Sequence, residues 1–172
     1  MEQLLIIRHA IAEERDRSTA AGRPDATRRL TEKGRRRMVQ AARGLRRIVP
    51  QPPRLISSPF LRARETAQII ADGYGLACAV EESDLLTPGG DFAALFARLR
   101  GEEGEGCIAL VGHEPALSEG VGWLLTGSSR SVVQLKKGAA ALLAFPGGTE
   151  PGRARLLWAL PPTQLRQLGE TL

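Results

Sequence analysis

Two short, wholly apolar runs that each lead into a histidine constrain the folding of this 172-residue chain more than any other feature. The first is Leu4-Leu5-Ile6-Ile7, followed by Arg8 and His9. The second is Cys107-Ile108-Ala109-Leu110-Val111, followed by Gly112 and His113. Runs this short cannot cross a bilayer, and an unbroken apolar run lacks the alternation of a strand with one wet face. They are the pattern of strands buried on both faces, as in a parallel sheet with helices on either side. Ligands of open α/β sheets sit beyond the carboxyl ends of the strands. Arg8, His9 and His113 are therefore expected where chemistry takes place.

Helical and strand patterns alternate between and after these runs. A charged segment from Glu13 to Arg29 is predicted to be a loop. Thr31 then caps a helix whose buried face is Met38, Ala41, Ala42, Leu45, Ile48 and Val49, stopped by Pro50, Pro52 and Pro53. Arg54–Ser57 is a second strand. Ser58 and Pro59 start a helix with the stripe Phe60, Ala63, Ala67 and Ile70, ended by Gly73 and Gly75. A third strand is expected over 76–80, a helix from a cap at Asp91 through Leu99, and another from Pro115 to about Thr126. Strands are expected at 132–135, 139–145 and 155–160, the last two as a hairpin around Pro146-Gly147-Gly148, with at least one helical turn after them. The fold class is α/β: a mainly parallel sheet with helices on both faces and an antiparallel edge, in a single domain of residues 1–172.

Composition narrows the function. An apolar fraction of 42% and a charged fraction of 25% are those of an ordinary globular protein. No basic leader with an apolar core precedes the first strand, and no run is long enough for a membrane span, so a cytoplasmic protein without a membrane partner is expected. Cys78 and Cys107 lie far apart, and there are two histidines in all. Reduced thiols are therefore expected, with no metal site and no cofactor. Residues 1–64 hold 16 of the 24 Lys+Arg but 6 of the 19 Asp+Glu, which suits nucleic acid, an acidic protein or a phosphorylated substrate. Aromatic residues at 4% are too few for a platform that stacks single-stranded bases, so nucleic acid is not expected as a partner. The arginine-rich helix at 35–47 is read as a solvated face.

Arg62 lies in the opening turn of the helix after the second strand, off its apolar stripe. If the strands are parallel neighbours, two imidazoles and two guanidiniums converge on one sheet edge. Guanidinium forks match phosphate oxygens two at a time, and a helix N-terminus after Pro115 adds backbone N–H groups. A neutral imidazole can attack phosphorus and divide hydrolysis into two easier steps. That requires one ring nitrogen to be left unprotonated while a backbone carbonyl holds the other.

Arg8-His9-Ala10 resembles the RHG-type signature of the histidine phosphatase superfamily, which is similar in fold to the cofactor-dependent phosphoglycerate mutases. Ser57-Ser58-Pro59-Phe60-Leu61-Arg62-Ala63-Arg64-Glu65-Thr66-Ala67, Leu30-Thr31-x-x-Gly34 and Gly112-His113-Glu114-Pro115 resemble three further motifs, in the family's order. The resemblance implies a three-layer, phosphoglycerate mutase-like sandwich. It also implies His9 as nucleophile, with Arg8, Arg62 and His113 binding the phosphoryl group. Phe60-Leu61-Arg62-Ala63 and Leu86-Thr87-Pro88-Gly89-Gly90-Asp91 resemble the SixA-type phosphohistidine phosphatase branch, in which Asp25 and Arg28 fall beside the pocket. Ala10 stands where the signature has glycine. The acid that lidded relatives use has no clear counterpart, with Glu82, Asp84 and Asp25 as candidates.

The 25 or so residues between Val80 and Cys107 leave room for one helix and not for a long lid. An open pocket admits a phosphorylated side chain on a protein, and a phosphoramidate depends little on a strong protein acid. The expectation is a metal-independent phosphatase acting on protein phosphohistidine. A phosphomonoesterase for a small metabolite is the first alternative, and an inactive phosphate-binding module of the same fold is the second.

Overall fold

The computed structural model describes residues 1–20, 22–51, 53–75, 80–101 and 106–170. The elements in chain order begin with β1 (Gln3–Arg8), α1 (Arg15–Ala20), α2 (Glu32–Ile48), β2 (Arg54–Ser57), α3 (Leu61–Tyr74) and β3 (Glu81–Glu82). They continue with α4 (Phe92–Gly101), β4 (Cys107–Gly112), α5 (Ala116–Thr126), β5 (Ala140–Ala144), β6 (Arg155–Leu160) and α6 (Pro162–Glu170). The strands form one sheet in the order β3-β2-β4-β1-β5-β6. The first four run parallel, while β5 runs antiparallel to both β1 and β6. No helix among the described residues is long and apolar enough to cross a membrane.

β1 and β4 are buried on both faces, and each divides its side chains between two cores. Leu5, Ile7, Ala109 and Val111 face α2, α3 and α6 and meet Met38, Leu45, Ile70 and Leu165. Leu4, Ile6, Ile108 and Leu110 face α4 and α5 and meet Phe96, Leu99, Leu117 and Leu124. Alternation along an extended chain sends successive side chains to opposite faces, so an all-apolar strand needs helices on both.

Most predicted elements are present, and the departures have physical causes. The charged 13–29 segment is not all loop: it holds α1 and a 3-10 turn at Asp25–Thr27. The helix expected from Pro59 begins at Leu61 with Phe60 as cap, and the Ser58 hydroxyl serves the site described below. Residues 132–135 form no strand, because the Leu135 carbonyl is taken by the Arg8 guanidinium at 2.8 Å and not by a ladder. Of the strand expected at 76–80, residues 76–79 lie outside the described residues, and the strand paired with β2 is Glu81–Glu82. The C-terminal turn extends to the nine-residue α6. It lies so close to α2 that a Cβ on Gly44 would collide with the Leu165 carbonyl, and one on Gly169 with that of Gln40.

Candidate active site

Three strand ends meet side by side. The His9 N–H donates to the Gly112 carbonyl at 3.1 Å, and the Ser58 N–H donates to Val111 at 2.9 Å. Each bond carries a parallel ladder one step past its strand, so His9, Ser58 and His113 emerge together. Arg62, on the first turn of α3, reaches the same place and is 2% exposed.

The loop after β1 is braced from two sides. The Ala10 N–H donates to the Thr66 hydroxyl at 3.0 Å, and that hydroxyl donates to the Arg62 carbonyl at 2.7 Å. On the other side, the Thr31 N–H donates to the Ile11 carbonyl at 3.0 Å, and the Thr31 hydroxyl accepts from Gly34 at 2.9 Å as the cap of α2. A Cβ on Gly34 would collide with the Ile11 carbonyl. The Leu30-Thr31-x-x-Gly34 pattern is thus a clamp on the loop that follows His9. Ala10, in place of glycine, is buried without disturbing it.

The two histidine rings lie 5.0 Å apart and are held differently. His9 Nδ1 is 2.7 Å from the Ala10 carbonyl. A carbonyl can only accept, so Nδ1 carries the proton and Nε2 keeps its lone pair. That lone pair faces Arg62, whose Nε–H donates to it at 3.3 Å. Burial, reinforced by His113, Arg62 and Arg8 against the Ala10 carbonyl, pushes the ring's pKa down to about 2. His113 Nε2 is 3.0 Å from the Ser58 hydroxyl, and its ring stands edge-on to Phe60 at 5.4 Å. Burial and then the Arg62 charge push it down to about 3. Both rings are neutral at pH 7.

The guanidiniums complete the cluster. Arg62 donates to the Asp25 carbonyl at 2.9 Å and to its Oδ2 at 3.1 Å, with its carbon 5.0 Å above the Phe60 ring. Arg28 bonds Asp25 Oδ1 at 2.8 Å and the Glu13 carbonyl at 2.7 Å, and Arg15 joins the same Oδ1 at 3.1 Å. Burial alone would raise the Asp25 pKa, but hydrogen bonds from Arg15 and Arg28 and the Arg62 charge hold it well below the usual carboxylate range. Asp25 is a fixed anion bonded by three arginines, and it is a poor proton donor at neutral pH. Glu82 is engaged on the surface by Arg64 at 2.9 Å, and Asp84 opens a 3-10 turn at Asp84–Leu86.

Two buried polar atoms, Arg8 Nε and His113 Nδ1, have no hydrogen-bond partner among the described residues. Buried polar groups are seldom left unpaired, and both of these belong to one cationic cluster. The arrangement suits a tetrahedral anion. A cleft of about 760 Å³ between residues 89–93 and α5 touches none of these groups.

The expected residues His9, Arg8, Arg62, His113, Asp25 and Arg28 therefore come together. By sequence pattern Ser58 reads as a helix cap and Phe60 as part of a core stripe, and nothing local marks Thr66 or Lys137 as site residues. The Lys136-Lys137-Gly138 turn enters the site because the Gly138 N–H donates to both the Arg8 and His9 carbonyls at 3.1 Å. Lys137 lies within electrostatic reach of the site: burial, then the charges of Arg8, Arg28 and Arg62, lowers its pKa.

The fold, a sheet of this strand order with paired histidines and arginines beyond its parallel strands, is shared with a phosphoglycerate mutase from Bacillus anthracis. That structure superposes with a TM-score of 0.67 at 14% identity over 99% of this chain and 97% of that one. The model of the histidine phosphatase superfamily (branch 1) matches residues 4–87, and the chain belongs to that superfamily. Within it the resemblance is to SixA-type members. An uncharacterized protein of Picosynechococcus is 33% identical over 137 residues, covering 78% of this chain and 80% of the relative. The Escherichia coli phosphohistidine phosphatase SixA is 27% identical over 166 residues, covering 95% and 96%. The solved structure of the protein histidine phosphatase SixA complexed with tungstate superposes with a TM-score of 0.79 at 26% identity, over 95% of this chain and 99% of that one.

Proposed function

We propose that this chain is a phosphohistidine phosphatase that hydrolyses phosphohistidine on a protein through a phosphoenzyme at His9, without a metal. The observation that carries the chemistry is the His9 tautomer: Nδ1–H is tied to the Ala10 carbonyl, so the Nε2 lone pair is presented among buried cations. Nε2 attacks phosphorus, the bond to the substrate nitrogen breaks, and that nitrogen takes a proton from water as it leaves. Water then attacks phosphorus, and the His9 Nε2–phosphorus bond breaks with its electron pair returning to Nε2. Inorganic phosphate leaves with the water's oxygen and protons, restoring the neutral ring. Arg8, Arg62 and His113 hold the phosphoryl oxygens as charge develops, and Asp25 and Arg28 keep Arg62 in position. The guanidiniums supply the charge that a metal would otherwise bring.

The substrate class rests on the segment between β3 and β4. In its described part, Leu95, Phe96 and Leu99 of α4 are buried in the core beside α5, so that helix serves as packing and not as a cover. The E. coli relative named as a phosphohistidine phosphatase supports the same reading. A histidine leaving group also suits a site whose nearest carboxylate, Asp25, is held ionised. The test is phosphate release in EDTA from a histidine-phosphorylated protein and from p-nitrophenyl phosphate, with wild type and His9→Ala. Release from the phosphoprotein that disappears in His9→Ala is expected. Release from the ester alone would move the reading to a small-molecule phosphatase, and release from neither would leave a binding module.

A further inference from the structure

Behind the catalytic loop lies a second, smaller cationic feature that the phosphoryl chemistry does not use. A cavity of about 40 Å³ is floored by Ala10, Ile11 and Met38 and rimmed by Arg37, Lys137 and Arg166. Three cations from α2, the turn before β5, and α6 are brought together there by the tertiary fold. None of the three is in an ion pair among the described residues. Arg166 makes one 3.4 Å hydrogen bond to the Thr163 hydroxyl, and Glu14 is the carboxylate whose charge reaches Lys137. Like charges gathered at a small cavity repel one another unless an anion joins them.

We propose that this cavity is a subsite for a carboxylate side chain, Asp or Glu, lying close to the phosphohistidine on the substrate protein. The inference deepens the proposed function and rests on it for the identity of the carrier. Size and lining choose the carboxylate. The volume holds a few waters or one small polar group, given about 10–15 Å³ for each water-sized probe. The floor is apolar, which suits a methylene stem, whereas a free phosphate would set oxygens against Ile11 and Met38. Proximity links it to the reaction: Ala10 and Ile11 directly follow His9. Lys137 sits on the rim and also senses the charges of Arg8, Arg28 and Arg62. Lys137 thus joins the phosphoryl pocket to the subsite, and the pair would read a phosphohistidine with an acidic neighbour.

The experiment uses labelled histidine peptides with Glu, Ala or Lys beside the histidine, phosphorylated and unphosphorylated, binding to the inert His9→Ala protein in fluorescence anisotropy. The Glu peptide is expected to bind about tenfold more tightly than the Ala peptide, and the Lys peptide less tightly than either. That preference should vanish when Arg37→Ala and Arg166→Ala are added. It should survive Arg43→Ala, which removes a charge of the same helix from the groove between α2 and α3. Equal binding of the three peptides, no binding of any, or a preference that persists without Arg37 and Arg166 would overturn the subsite. Wild-type turnover of p-nitrophenyl phosphate but not of the phosphorylated peptides would instead overturn the proposed function. The unphosphorylated Glu peptide would still report on the subsite in that case.

Discussion

The ends of β1 and β4 are neighbours in register, and each delivers one histidine to the same pocket, yet the two rings are prepared for different work. His9 is fixed by a backbone carbonyl, a partner that can only accept, so its tautomer has no freedom. His113 faces the Ser58 hydroxyl, which can donate or accept, and its other nitrogen is buried without a partner among the described residues. A ring bound to a one-way partner has a permanent lone pair and suits a nucleophile. A ring bound to a two-way partner can hand a proton toward phosphate oxygen or receive one, which suits a ligand of the phosphoryl group. Burial, the shared environment, keeps both neutral. The partners make the difference.

Removing each ring should separate these roles most sharply. His9→Ala is expected to lower kcat on the phosphoprotein by at least about 10⁴-fold and to abolish the acid-labile phosphoenzyme in single-turnover experiments. His113→Ala should cost roughly 10²–10³-fold in kcat while the phosphoenzyme still forms slowly. If the two losses were equal and neither variant formed a phosphoenzyme, the contrast between nucleophile and ligand would be broken.

The shared neutrality has a consequence for stability. Both folded-state pKa values lie below the ordinary 6.5, so beneath that pH the unfolded chain binds protons that the folded chain refuses. The contribution is complete above about pH 6.5. It declines as the pH falls toward 3, by roughly 2–3 kcal/mol per pH unit for the two rings together. Urea midpoints should therefore drop between pH 7 and pH 5, and His113→Ala should remove about half of that slope. A midpoint independent of pH over this range would contradict the buried, neutral rings.

Smaller changes sharpen the contrast. Ser58→Ala removes the two-way partner of His113 and leaves His9 untouched, so about a tenfold loss in kcat is expected, or about 1.4 kcal/mol. Phosphoenzyme formation should be slowed rather than lost. Arg64→Ala lies two residues beyond Arg62, on the exposed side of α3 and paired with Glu82 at the surface. Activity should stay within twofold of wild type and stability within about 0.5 kcal/mol.

Much of this was legible before the fold. Leu4–Ile7 and Ile108–Val111 showed buried strands because no polar residue interrupts them. Thr31 showed a cap because its hydroxyl precedes a periodic apolar face, and it makes that bond. His9, Arg8, Arg62 and His113 were legible because each follows a strand or opens a helix, positions that local pattern can locate. Ser58 was only half legible for the same reason: its hydroxyl accepts from the Phe60 N–H at 3.3 Å at the start of α3, but it also meets His113. A hydroxyl before a proline is a good cap by local rules, and nothing nearby in sequence announces a histidine 55 residues away.

What local pattern could not supply is the direction in which distant segments pair. β5 enters antiparallel to β1, so its preceding turn, and not its following one, reaches the carboxyl end of the parallel strands. That reversal puts the Leu135 carbonyl on Arg8 and Lys137 near the pocket. The same holds for Asp25, whose three arginine partners come from two other segments as well as its own turn. Residue type and spacing set which groups are available and which elements carry them, through steric and hydrophobic rules that act over a few residues. Strand order, the tautomer of His9 and the partners of each guanidinium arise from contacts between segments far apart in the chain, and folding is what brings those segments together.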